Sequence, residues 1–287
     1  MAQALAPANP QAAHPAPDGL PVLHLSGPAL KAAMEGLVAG SEEQGGVERY
    51  LEALALKVTL FQEAYADGAD APDRDTFKYL CAYMAPVRRR IGPYLKGSAY
   101  FDLCDRIAAL LDGAADTSTA DARIAAFCAH FPQDKAHRWV RDLAAELLHY
   151  TDPVRYPLMC RWVWDARANS GVLREIWYGA DQNHARIDIP DGYATFLMLR
   201  QELSQFLSDN GVFRNVPLFV DLLCAQVYAG YVVEQGGSFL RADFASPYDP
   251  MQHTRRLLGL DGVDAHTGRT RVKAHTDPAA SPVTEID

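Results

Sequence analysis

Asp142, Glu146 and His149 fall at i, i+4 and i+7 of one segment, so a helix there brings two carboxyl groups and an imidazole to a single face. Glu146-Leu-Leu-His149 also has the Glu-x-x-His spacing with which helical di-iron proteins hold a metal between facing helices. Such a centre needs two of these units and two further glutamates. Only one Glu-x-x-His occurs in the chain, and the looser Asp134-x-x-His137 and Asp181-x-x-His184 fall near helix ends or turns. The plainer reading makes Arg138, Asp142, Glu146 and His149 the solvated face of a helix whose other face is Val140, Ala144 and Leu147, and the periodicity favours it. A metal-dependent enzyme with Asp142, Glu146 and His149 as ligands stands as the alternative. Beyond that alternative the chain implies no cofactor.

Asp221 is a sharper anomaly, because it interrupts LFVDLLCAQVYAGYV, a stretch apolar on nearly every side and expected to form the central helix. No cation stands three or four places from it on that helix. A buried carboxylate needs a partner, since leaving it charged and alone costs several kcal/mol. An arginine from elsewhere is the expected partner, and fixing a helix crossing is favoured over service as a base or ligand anchor beside Cys224 and Tyr228.

The source of that arginine is conspicuous. All four tryptophans, Trp139, Trp162, Trp164 and Trp177, share one region with Arg138, Arg141, Arg155, Arg161, Arg167 and Arg174. Indole rings and guanidinium groups are what protein interfaces favour at their energetic centres. The leading expectation is therefore an accessory or adaptor protein that recognises a protein partner, or a small anionic ligand, through residues 134–180. Arg138, Arg141, Arg161, Trp162, Arg167 and Asp221 are the binding candidates. The competing reading is that the tryptophans fill a core.

The most basic run is Arg88-Arg89-Arg90, which leads into IGPYLKG and suggests phosphate contact. The helix, proline turn and helix rhythm of HYTDPVRYPLMCRWVWD (149–165) resembles the stretch that follows helix-hairpin-helix turns in DNA-repair glycosylases. Cys160 stands where that family carries its catalytic aspartate, and the hairpin lacks its second glycine, so the resemblance implies no such activity. A net charge of −9 and a pI near 5.4 disfavour nucleic acid as a partner. The glycines match neither a dinucleotide-binding nor a P-loop pattern.

These residues need elements to position them, and the composition supplies helices. With 49% apolar residues the chain can bury a sizeable core. Five dispersed cysteines, with neither a CxxC pair nor a disulfide framework, read as buried thiols in a reducing, cytoplasmic compartment. The N-terminus lacks the pattern of a secretory signal, and the apolar run 216–233 reads as a buried helix, not a membrane span.

Stripes at steps of three and four place helices at about 28–38, 47–65, 74–91 and 98–112, one after the TSTAD cluster of 117–121, two more at about 134–151 and 157–168, one striped by Phe196, Leu199, Leu203 and Phe206, and a last one at 217–233, with Pro86 expected to kink or end the third. The second carries Tyr50, Leu54, Val58, Phe61 and Tyr65 on its stripe. Only residues 185–192 alternate like a strand. The fold class expected is all-α: one compact bundle of eight or nine helices over 27–235, with a disordered arm (1–26) and an irregular C-terminal tail (236–287).

Overall fold

The computed structural model describes residues 22–66, 72–178, 186–236 and 251–262, and within these the chain is an all-α bundle without strands. Helix α1 (Gly27–Ser41) opens with Pro28 in its first turn and Ser26 as its cap, whose hydroxyl accepts from the Ala29 amide at 3.3 Å. Helix α2 (Gly46–Ala64) buries Tyr50, Leu54 and Phe61 as expected. It also buries Lys57, while Val58 is only partly covered.

Helix α3 (Arg74–Ala82) is capped by Asp73 and stops short of the expected position 91; turns carry the chain past Pro86. Helices α4 (Gly97–Leu111) and α5 (Ala120–Ala129) lead to α6 (Trp139–Thr151). The helix expected at 157–168 does not form. Pro157 would be tolerated as a first helical residue, but the backbone groups that a helix would use are taken elsewhere: the Arg161 amide donates to Asp142, the Trp162 and Val163 carbonyls accept from the Val172 and Leu173 amides, and the Cys160 carbonyl accepts from the Val163 and Trp164 amides in a tight turn. This stretch is buried nonetheless, with Leu158, Met159, Cys160, Val163 and Trp164 all in the core.

A one-turn helix, α7 (Val172–Glu175), follows. Residues 186–191 are extended but join no sheet, and the Ile189 carbonyl takes the indole N–H of Trp164 at 3.0 Å. Helices α8 (Tyr193–Asp209) and α9 (Val216–Gly236) complete the body. Eight of the described helices have seven residues or more. Val216–Val233 is long and apolar enough by length and composition to cross a membrane, but α9 packs on α1, α2, α7 and α8 within the bundle.

The helix buried on every side is α6, not α9. Eleven of its thirteen residues are buried, against α2, α4 and α5 and beneath the 157–165 turns. Each fully buried leucine of α6, such as Leu143, Leu147 and Leu148, contributes roughly 1.5–3 kcal/mol to holding this arrangement.

Both ends of the body carry docked segments. In the stretch read as an arm, residues 22–26 lie beside α7: the Ser26 amide donates to the Ile176 carbonyl and the Tyr178 amide to the His24 carbonyl, each at 2.7 Å. Residues 1–21 lie outside the described residues. In the stretch read as an irregular tail, residues 251–262 form a short helix, α10 (Gln252–Leu257), and a turn packed on α9, with Met251 and Leu258 buried.

Candidate functional site

Because α6 is enclosed, its polar row is not a solvated face. Asp142, Glu146 and His149 are all buried, which corrects the amphipathic reading: an apolar-polar periodicity looks the same whether the polar side meets water or meets buried partners. Each of the three has its own partner.

Glu146 Oε2 accepts from Lys57 Nζ of α2 at 3.0 Å. The ammonium also donates to the Tyr83 carbonyl at 2.7 Å and the Leu258 carbonyl at 3.0 Å, and it sits 3.8 Å from the centre of the Tyr150 ring. Burial pushes the Lys57 amine down and the Glu146 carboxyl up, each against the pull of the other. Three acceptors and a ring face complete the surroundings of an ammonium, so the pair is read as ionic. Glu146 Oε1 has no protein partner.

Asp142 is held by Arg161. Its Oδ1 accepts from the Arg161 amide at 2.9 Å, and its Oδ2 accepts from Nε and Nη2 at 3.1 and 2.7 Å. Burial raises the Asp142 carboxyl, and the Arg161 guanidinium opposes that rise. Arg161 Nη1 lies 4.0 Å from Asp165, which takes Arg138 Nη2 at 2.8 Å. The result is a row of alternating charge, Asp142, Arg161, Asp165, Arg138.

His149 partners Asp221, which corrects the expectation that Asp221 pairs with an arginine. His149 Nδ1 is 2.7 Å from the Tyr156 carbonyl, and Nε2 is 2.8 Å from Asp221 Oδ2. A carbonyl only accepts, so Nδ1 carries a proton, and the bond to Asp221 then needs one further proton shared between ring and carboxyl. The contact ties α6 to α9. Beside it a cavity of about 20 Å³, lined by Leu199, Arg200, Val220, Asp221 and Cys224, has room for one water.

With Lys57, Arg161 and Asp221 as separate partners, the three α6 groups do not converge on one point. Among the described residues no group of three or more His, Cys, Asp or Glu side chains is arranged to hold a metal ion. The five cysteines are free, and burial pushes the thiols of Cys81, Cys160 and Cys224 up, away from the thiolate a nucleophile requires.

The arginine and tryptophan candidates divide. Trp139 and Trp164 are core residues, while Trp162 and Trp177 are half-buried. Arg141 turns inward, donating to the Asp191 carbonyl at 2.5 Å and lying over the Phe196 ring. Arg167 is exposed. Arg88 is buried in a two-bond contact with Asp261, which leaves Arg89 and Arg90 as the exposed members of the basic run.

The described structure does bring together Trp162, Arg161 and Arg138, and with them Tyr228 and Tyr231 of α9. Trp162 meets Tyr228 at 6.1 Å between ring centres, and Tyr228 meets Tyr231 at 5.7 Å. The Tyr228 hydroxyl lies within electrostatic range of Arg161, Asp165 and Glu175. Around Tyr228 on α9, Val227, Tyr231 and Val232 are only partly covered and Val233 is 37% exposed, while Ala225 and Ala229 are buried.

Sequence reasoning missed Lys57, Asp165 and Asp261. Lys57 had a signal: Tyr50, Leu54, Lys57 and Phe61 follow one another at steps of four, three and four, so the lysine stands on the apolar stripe. Compared with protein-family models, with curated proteins and with solved structures, the chain matches none.

Proposed function

We propose that this protein is a recognition module, an accessory or adaptor in a reducing cytoplasm, that binds an acidic segment of a protein partner on the ridge formed by Trp162, Tyr228 and Tyr231. The observation that carries this reading is the direction of the charge row beside the rings. Arg138 and Arg161 keep 38% and 25% of their side chains exposed, whereas Asp165 and Asp142 keep 8% and 3%. The row is neutral in sum but turns its guanidinium side to solvent, so a chain with a net charge of −9 offers a locally positive edge next to anchored aromatic rings. Rings fixed by a core lose little freedom on binding, which favours them as anchors.

The alternatives draw less support. A metal-dependent enzyme on Asp142, Glu146 and His149 would have to break three buried contacts to gather its ligands. A nucleic-acid reading through Arg88–Arg90 loses Arg88 to Asp261.

An array of acidic peptides with and without aromatic residues, probed with the wild-type protein and with Trp162→Ala and Arg138→Gln, tests the reading. Peptides retained by the wild type and lost from both variants, at unchanged melting temperature, support it. Equal retention by all three proteins, retention of free phosphate or citrate in place of peptides, or no retention anywhere on the array refutes it.

A further inference from the structure

Lys57 and Arg88, two cations enclosed in the body, take part of their satisfaction from the same late stretch of chain. Leu258 supplies a carbonyl to Lys57 Nζ at 3.0 Å, and Asp261 takes Arg88 Nη1 and Nη2 at 2.7 and 3.2 Å. Between them Gly259, at φ +73°, rests on the Tyr83 carbonyl, where a Cβ would come within 1.7 Å of the oxygen; a Cβ on Gly262 would come within 1.9 Å of the Ala82 oxygen. Thr254 donates to Gln226 of α9 at 2.8 Å. Residues 251–262 thus lie against the turn after α3 and cover Lys57 from the side of the Leu258 carbonyl.

We propose that residues 251–262 are a detachable strap that gates access of water and small electrophiles to the Lys57 amine, with the Arg88–Asp261 ion pair as its latch. Three features favour detachment. Helix α10 has six residues, too few to hold itself without docking. The fully buried side chains of the stretch are Met251, Thr254 and Leu258, and α10 packs chiefly on one helix, α9, set against the cost of ordering a whole segment of backbone. The Arg88–Asp261 latch joins a cation that water solvates well once the strap lifts to a carboxylate already 19% exposed, so breaking that contact costs little electrostatically. Opening of such a segment belongs to the low-energy class of local unfolding that leaves a bundle intact. With the strap lifted, Lys57 loses one acceptor, and Glu146 Oε1, which lacks a protein partner, is the nearby base to receive a proton from the amine.

The test uses the full chain and acetylation by an N-hydroxysuccinimide ester. The deprotonated amine attacks the ester carbonyl, the N–C bond forms, the ester C–O bond breaks with its electron pair leaving on the N-hydroxysuccinimide oxygen, and the proton shed by the nitrogen passes to water. Labelling of Lys57 is followed by mass spectrometry against exposed Lys31 and Lys96, together with amide exchange of residues 251–262 and of α6.

In Asp261→Asn, Lys57 labelling and exchange at 251–262 should accelerate by about tenfold or more, the loss expected for one charge-assisted hydrogen bond, while α6 exchange stays at the wild-type rate. Gly259→Val should do the same if it folds, and Asp261→Asn decides the matter if it does not. Labelling of Lys57 that keeps pace with α6 exchange in both wild type and Asp261→Asn, or that is unchanged by the substitution, makes the segment an ordinary part of the core and overturns the strap.

Discussion

Replacing Lys57 by methionine tests the buried pair directly, because methionine matches the length of the lysine stem and isolates the loss of charge. The variant leaves Glu146 Oε2, the Tyr83 carbonyl and the Leu258 carbonyl without their donor. Breaking a buried ion pair from one side costs about 3–5 kcal/mol. Glu146 has one escape, which is to take up a proton. From an ordinary value of 4.5, that costs about 3 kcal/mol at pH 7 and under about 1 kcal/mol at pH 5, at roughly 1.4 kcal/mol per pH unit.

The deficit of Lys57→Met therefore has a predicted pH dependence. Burial already raises the Glu146 carboxyl, and removing Lys57 removes the largest opposing influence. The folded variant then holds a proton that the unfolded chain releases above about 4.5, so this contribution is complete below that value and is lost as the pH rises through the folded-state value. Urea titrations followed by far-ultraviolet circular dichroism at pH 5 and pH 7 should show the variant losing about 3 kcal/mol or more relative to wild type at pH 7 and distinctly less at pH 5. Adding Glu146→Leu should recover the charge component and leave the cost of the two orphaned carbonyls. A deficit under about 1 kcal/mol at pH 7, or one that is equal at both pH values, refutes the view of Lys57–Glu146 as an ion pair enclosed by the core.

His149→Leu strands Asp221 and should cost about 3–5 kcal/mol in the same titrations. Asp221→Asn should cost less than about 1.5 kcal/mol, because an amide N–H can donate to the neutral ring nitrogen while Nδ1 keeps the Tyr156 carbonyl; equal losses would show that the shared-proton description is wrong. At the start of α3, hydrogen bonds from Thr76 and Asp75 hold the Asp73 carboxyl below its usual value. Its support for the helix is present above the unfolded value of about 3.8 and lost as the pH falls through the lower folded value. The protection of the Phe77 and Leu80 amides, with the intrinsic pH dependence of exchange divided out, should fall as the pH drops below 3.8 in the wild type, and Asp73→Ala should show lower protection already at neutral pH with that acid step removed.

Most of the helices were legible because amphipathic periodicity and end signals are local. Ser26-Gly-Pro28 marks the start of α1 by chemistry contained in three residues, and Asp73 does the same for α3. The stretch 157–168 defeated that approach because its apolar run fits a helix by count, while its backbone groups are claimed by distant partners, the Arg161 amide by Asp142 and the Trp162 and Val163 carbonyls by residues 172 and 173. Asp142, Glu146 and His149 defeated it for another reason. Whether a polar stripe meets water depends on residues 57, 161 and 221, and no feature of 138–149 records that those will arrive. Asp221 illustrates half a success: its burial requires a partner by electrostatics alone, but the choice of His149 over an arginine is set by where α6 and α9 meet.

The three buried contacts of α6 bear on the surface as well as on the core. Hydrophobic residues of equal volume would cost less to bury, so charge at 142, 146 and 149 is a poor way to gain stability and an effective way to fix register. Lys57 answers to α2, Asp221 to α9 and Arg161 to the turn after Met159, and a shift of α6 by one residue would strand all three at once. The Arg161 contact passes this constraint outward. Asp142 holds both the amide and the guanidinium of Arg161, and the next residue is Trp162. The position of the indole against Tyr228, and of the guanidinium edge beside it, is therefore set from inside the bundle by a carboxylate that no ligand would touch.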